Sequence, residues 1–203
     1  IMEYAMDVPV ITNLAELSYT NQDIITVEGI LTADGKANIY VNGEKVTSVD
    51  SVNRVFTAQV ELPEDENTIM VTAELNGDET EPSAPIVVIK DKVAPVLEVT
   101  NPIDNAKFNV ELVHVIGNAT DDVELVKLEI NDIEVVVAED GSFDEKVIIN
   151  QGENVITVKA TDIAGNITTI VRTVIVELES PDITNILPNE DVTLHQGETL
   201  TVS

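Results

Sequence analysis

The stretch from Gly152 to Asn166 reads Gly-Glu-Asn-Val-Ile-Thr-Val-Lys-Ala-Thr-Asp-Ile-Ala-Gly-Asn, and it constrains the fold more than any other part of the chain. Apolar Ile156, Val158 and Ala160 alternate with Thr157 and Lys159. That period of two puts one strand face on a core and the other in water. Asp162 to Asn166 then demands a tight reversal. Gly165 offers a positive-φ position, and the side chains of Asp162 and Asn166 are of the kind that hydrogen-bond turn backbone. Turn, strand, acidic turn and strand is a β pattern.

The same pattern recurs along the chain. Pro9, Pro95 and Pro181 stand 86 residues apart and open three similar units. Gly29 answers to Gly117, Ile39 to Gly43 answers to Leu128 to Asp132, and Glu66 to Ala73 answers to Glu153 to Ala160. In the second unit the alternation predicts strands near Val96 to Thr100, Val110 to Gly117, Leu125 to Asn131, Ile133 to Ala138, Ser142 to Asn150, Asn154 to Thr161 and Ile167 to Glu177. Asn42-Gly43 is a hairpin signal with Asn131-Asp132 as its weaker copy, and Phe56 and Phe143 occupy equivalent places as core anchors. With no 3.6-residue periodicity, the expectation is all-β: tandem immunoglobulin-like antiparallel β-sandwiches of about seven strands each. The units divide as a tail at 1–7, a first domain at 8–90, a second at 91–178 and the truncated start of a third at 179–203, with an opening strand at Asp182 to Leu187. The chain therefore reads as part of something longer.

Composition narrows the function. Asp and Glu number 38 against 10 Lys and Arg, a formal charge of -28 that repels nucleic acid and anionic lipid. Without cysteine there is no disulfide framework or thiolate metal site. Trp is absent and aromatics are 3%, which argues against a stacking platform for sugars or single-stranded nucleic acid. No apolar run is long enough to enter a membrane.

Asp91-Lys92-Val93-Ala94-Pro95, Gly117 to Asp122 and Gly152 to Asn166 together resemble the bacterial immunoglobulin-like module first named as domain B of glucodextranase. In particular they resemble its copies that follow the catalytic domain in extracellular subtilisin-like proteases of the bacillopeptidase F type. The first unit departs from the pattern, with Glu74 to Glu79 in place of the Ala-Thr-Asp-x-Ala-Gly-Asn turn. The resemblance implies a non-catalytic spacer or accessory region of a secreted or surface-attached bacterial protein, extracellular or at the cell surface, and it transfers no catalytic residue. The runner-up is an adhesin-like module that binds a protein or glycan ligand through its loops. Other partners are neighbouring domains of the same chain.

The residues agree that this stretch is not an enzyme. His114 and His195 are the two histidines, and His114 lies between two valines on a strand. A Ser/His/Asp set cannot be built on it. The acids are more informative. Strands alternating in direction gather Asp91, Asp121, Asp122, Glu139, Asp140 and Asp162 at one pole of the second unit. Asp23, Glu44, Glu64, Asp65 and Glu66 fall at the facing pole of the first. Asp91, Asp121, Asp122 and Asp162 are therefore expected to form a Ca²⁺ site at the joint, since hard oxygen ligands from several loops suit that ion. The alternative is a solvated acidic pole partly compensated by Lys90 and Lys92. Asp34 and Asp78 hold the corresponding, thinner position in the first unit. Lys90, Lys159 and Asn166 are also of the types that form Lys–Asn cross-links in cysteine-free surface domains.

Overall fold

The computed structural model describes residues 7–178, all strands and loops. The expected third unit, its strand at Asp182 to Leu187 and His195 lie outside the described residues. The first sandwich runs β1 (Val10–Ile11), β2 (Leu17–Thr20), β3 (Ile24–Ile30), β4 (Lys36–Val41), β5 (Glu44–Asp50), β6 (Val55–Glu61), β7 (Glu66–Leu75), β8 (Asp78–Glu79) and β9 (Ile86–Lys90). One sheet orders β1-β3-β6; the other orders β2-β9-β7-β4-β5, with β8 paired to β7.

The second sandwich repeats the plan with β10 (Val96–Asn101), β11 (Ala106–Phe108), β12 (Leu112–Thr120), β13 (Leu125–Ile130), β14 (Ile133–Val135), β15 (Ser142–Ile148), β16 (Gly152–Asp162) and β17 (Ile167–Val176). Its sheets order β10-β12-β15 and β11-β17-β16-β13-β14. Each of the seven strands expected in this unit is present, with ends shifted by a few residues.

Alternation builds two separate cores. On β6, Phe56, Ala58 and Val60 are buried and their neighbours exposed; on β16, Ile156, Val158 and Ala160 are fully buried. Val27, Ile39, Ile69 and Val71 are among the others in the first core, and Val113, Val115, Leu128 and Val174 among those in the second. Burying each such side chain contributes about 1.5–3 kcal/mol.

The repeat-equivalent glycines and phenylalanines explain each other. Gly29 lies directly across from Phe56, and Gly117 from Phe143. In both sandwiches the aromatic ring lies where a glycine Cβ would point, 2.4 Å from it at Gly29 and 2.6 Å at Gly117. A backbone oxygen crowds the same space, Val10 O at 2.3 Å and Glu98 O at 2.0 Å. The hairpins are also copies. Asn42 and Gly43 adopt φ of 52° and 84°, Asn131 and Asp132 φ of 51° and 63°. In each, the asparagine Oδ1 accepts a backbone N–H from the neighbouring strand, Thr68 N at 2.8 Å and Thr157 N at 2.9 Å.

One feature departs from the up-and-down reading. In each sandwich a short segment crosses to the second sheet and pairs parallel with the last strand: β2 with β9, and β11 with β17. The three-residue β11 is too short to register as alternation. It covers the flank of β17 from Val174 to Val176. Arg172, earlier on β17, donates to Val99 O and Pro102 O at 3.2 Å each.

Candidate functional site

The acids converge where the sandwiches join, and Asp91 is the pin. β9 ends at Lys90, whose N–H donates to Asp65 O at 2.6 Å; the Asp91 N–H donates to Thr20 O at 2.9 Å. Both acceptors belong to the first sandwich. The Asp91 carbonyl accepts the Asn166 Nδ2 of the second sandwich at 3.0 Å, and Val93 O accepts the same amide at 3.1 Å. Thr168 Oγ1 donates to Pro95 O at 2.6 Å. The linker backbone is therefore held from both sides.

Asn166 can do this because the β16 alternation continues into its turn. Asp162 is the next inward position after Ala160 and is 1% exposed. Its carboxylate accepts the Asn166 N–H at 2.7 Å and the Asn166 Nδ2 at 2.8 Å, which fixes the amide's orientation. A buried carboxylate requires such partners.

Asp91, Asp121 and Asp122 form a second arrangement beside the first. Asp91 is 6% exposed, Asp121 half-buried and Asp122 exposed, and each brings a carboxylate oxygen into one group with all three within 4.8 Å of one another. Asp91 Oδ1 accepts the Val93 N–H at 2.8 Å; Asp121 Oδ1 accepts the Val123 and Glu124 N–H groups at 3.0 Å each. The other oxygen of both residues, Oδ2, is buried without a hydrogen-bond partner among the described residues. Two carboxylates at ~5 Å repel by about 3 kcal/mol at an effective dielectric of ~20, before solvent screens exposed Asp122.

No basic side chain among the described residues forms an ion pair with them, although Lys90 and Lys92 lie nearby. Lys92 Nζ lies 2.5 Å from Asp23 of the first sandwich; Lys90 Nζ lies 3.5 Å from it and donates to Leu62 O at 2.9 Å. The Lys92 hydrogen bond, with Lys90 behind it, holds the Asp23 carboxyl below its ordinary value. A cleft of about 340 Å³ at the linker is lined by Asp65, Asp91 and Asp122 with Lys90 and Lys92. Three of the four acids expected to cluster are thus together, and Asp162 is engaged with Asn166 instead. Asp34 and Asp78 belong to no such group among the described residues.

Other candidate groups lie apart from one another. His114 Nδ1 is 2.7 Å from Asp144 Oδ1 on an exposed strand face, with no hydroxyl bonded to it among the described residues. Lys159 and Lys127 both reach Glu129 at 2.7 Å and hold its carboxyl below the ordinary value, Lys127 foremost. Lys159 pairs with Glu129, Lys90 with Asp23 and Leu62 O, and Asn166 with the linker, so neither lysine is hydrogen-bonded to Asn166.

The fold defines tandem immunoglobulin-like and fibronectin-III-like β-sandwich modules. Residues 95–178, the span of the second sandwich, match the family described as glucodextranase, domain B. The chain is 35% identical over 205 residues to Bacillopeptidase F of Bacillus subtilis (strain 168). That similarity spans all of this chain and 14% of that protein, so the chain corresponds to a small part of its relative. The fold is also similar to the fibronectin(III)-like modules of Clostridium thermocellum CbhA, with a TM-score of 0.59 and 16% identity, over 93% of this chain and all of that one. No helix among the described residues is long and apolar enough to cross a membrane.

Proposed function

We propose that this chain is a non-catalytic accessory segment of a larger secreted or cell-surface bacterial protein, and that it sets the spacing and angle between neighbouring domains of that protein. The observation that carries the reading is the linker held from both sides, by Thr20 and Asp65 on one and Asn166 and Thr168 on the other. A passive string would leave those backbone groups to water. The similarity to a 14% stretch of Bacillopeptidase F supports an extracellular hydrolase such as a subtilisin-like serine protease as the parent. Strands of ~10 residues at ~3.3 Å each make each sandwich about 35 Å tall, so two in line span ~70 Å.

The test is the parent protein with a flexible insertion between Lys92 and Val93. The reading predicts that the isolated chain cleaves no peptide, and that the insertion alters the parent's action on large substrates while leaving small ones unaffected. Equal effects on both, or none, would contradict it. A second reading, ligand binding on a sheet face, is favoured by an open cleft of about 440 Å³ beside Tyr40, Thr72 and Glu79. Saturable binding of a protein or glycan that Tyr40→Ala abolishes would establish it.

A further inference from the structure

Asp91 presents a buried carboxylate oxygen that has no hydrogen-bond partner among the described residues. Its Oδ1 is fixed by the Val93 N–H and its Oδ2 has no partner, in a residue 6% exposed. Asp121 repeats the arrangement, its Oδ1 fixed by two N–H groups and its Oδ2 buried and unpartnered. Hydrogen bonds thus hold both side chains in place and leave one acceptor on each without a donor. Native structures seldom leave a buried polar atom unpaired unless an ion or water completes it. The two lysines of the linker are engaged with Asp23 and Leu62.

We infer that Asp91, Asp121 and Asp122 form a Ca²⁺ site at the joint. Three carboxylate oxygens within 4.8 Å of one another fit around one ion at the ~2.4 Å distance typical of calcium. All donors are oxygen, which disfavours zinc, and an exposed cleft leaves room for the further oxygens, water included, of a coordination number of 6–8. Magnesium asks for shorter, near-octahedral ligation. Asp91 lies on the linker, Asp121 and Asp122 lie between β12 and β13, and Asp65 of the first sandwich lines the same cleft. An ion here ties the linker to the second sandwich and neutralises the acids facing it, so it stiffens the joint. The inference rests on this geometry and does not require the accessory-segment reading.

The test is calorimetric titration of the chelator-treated chain with CaCl₂ and separately with MgCl₂, followed by thermal unfolding in each. One Ca²⁺ per chain is expected, with Kd in the 10⁻⁴–10⁻³ M range of extracellular modules. Asp122→Asn and Asp91→Asn should each weaken it at least tenfold, and Glu145→Gln, an exposed acid on β15, should leave it unchanged. Because Asp122 is exposed, Asp122→Asn should melt no lower than the parent in chelator, which separates a lost site from a lost fold. Absence of saturable binding up to about 10 mM, ten times the weak end of that range, would overturn the inference. Binding that both aspartate variants leave intact, or equal affinity for Mg²⁺, would overturn it as well.

Discussion

Asn166→Ala removes the amide that joins the second sandwich to the linker. Three bonds go with it: to Asp91 O, to Val93 O and to Asp162 Oδ2. The Val93 carbonyl is exposed enough for water to replace the amide. The bond to Asp91 O contributes about 1 kcal/mol, and the one to the carboxylate of Asp162, 1% exposed, about 1.5–3 kcal/mol. Asp162 keeps its bond from the residue-166 N–H. The expected loss is therefore about 2–4 kcal/mol, confined to the second sandwich, and at ~4–8 °C per kcal/mol for a domain of this size its melting temperature should fall by at least ~8 °C. Differential scanning calorimetry should resolve the two sandwiches as separate transitions, of which only the second should move. Trypsin cleavage after Lys92 should accelerate, because the linker is released on one side. A loss below ~0.5 kcal/mol, the size of an ordinary surface substitution, with unchanged cleavage would refute the clamp.

Gly117→Ala should destabilise the second sandwich by at least ~1–3 kcal/mol, because the new methyl meets Glu98 O at 2.0 Å as well as the Phe143 ring; denaturant unfolding checks this. Phe143→Ala should cost about 3–5 kcal/mol and leave the first sandwich's transition in place. Lys127 and Lys159 depress the Glu129 pKa in the folded state, so its contribution is present above the unfolded value near ~4.3 and lost as pH falls through the folded value. Melting curves between about pH 3 and 6 should therefore be flatter for Glu129→Gln than for the parent. Asp23→Asn should flatten the first sandwich's acid limb in the same window, since Lys92 holds Asp23 low by the same sign argument.

Much of this was legible where local chemistry decides the outcome. Ile156, Val158 and Ala160 face the core because strand geometry leaves them no alternative, and Asn42-Gly43 turns because few dipeptides adopt two positive φ values in succession. The pairing of Gly117 with Phe143 was visible only as two repeated residues. Their mutual dependence needs the register, which a period does not give. The parallel strands β2 and β11 left almost no pattern, because four and three residues cannot display alternation. Convergence of Asp91, Asp121 and Asp122 followed from strand direction alone. What strand direction does not reveal is that Asp162 turns inward to Asn166, or that Asn166, read as a turn residue, reaches the linker carbonyls. The engagement of Lys90 and Lys92 with Asp23 is likewise a matter of side-chain reach.

The central claim is that the joint is held rather than passive. Because the chain has no cysteine, spin labels attached at Glu44→Cys in the first sandwich and Glu145→Cys in the second report one distance between the two. Pulsed dipolar spectroscopy should give a single narrow distribution that Asn166→Ala broadens. A distribution already broad in the parent, and unchanged by Asn166→Ala, would mean two independent sandwiches on a free linker and would contradict the account.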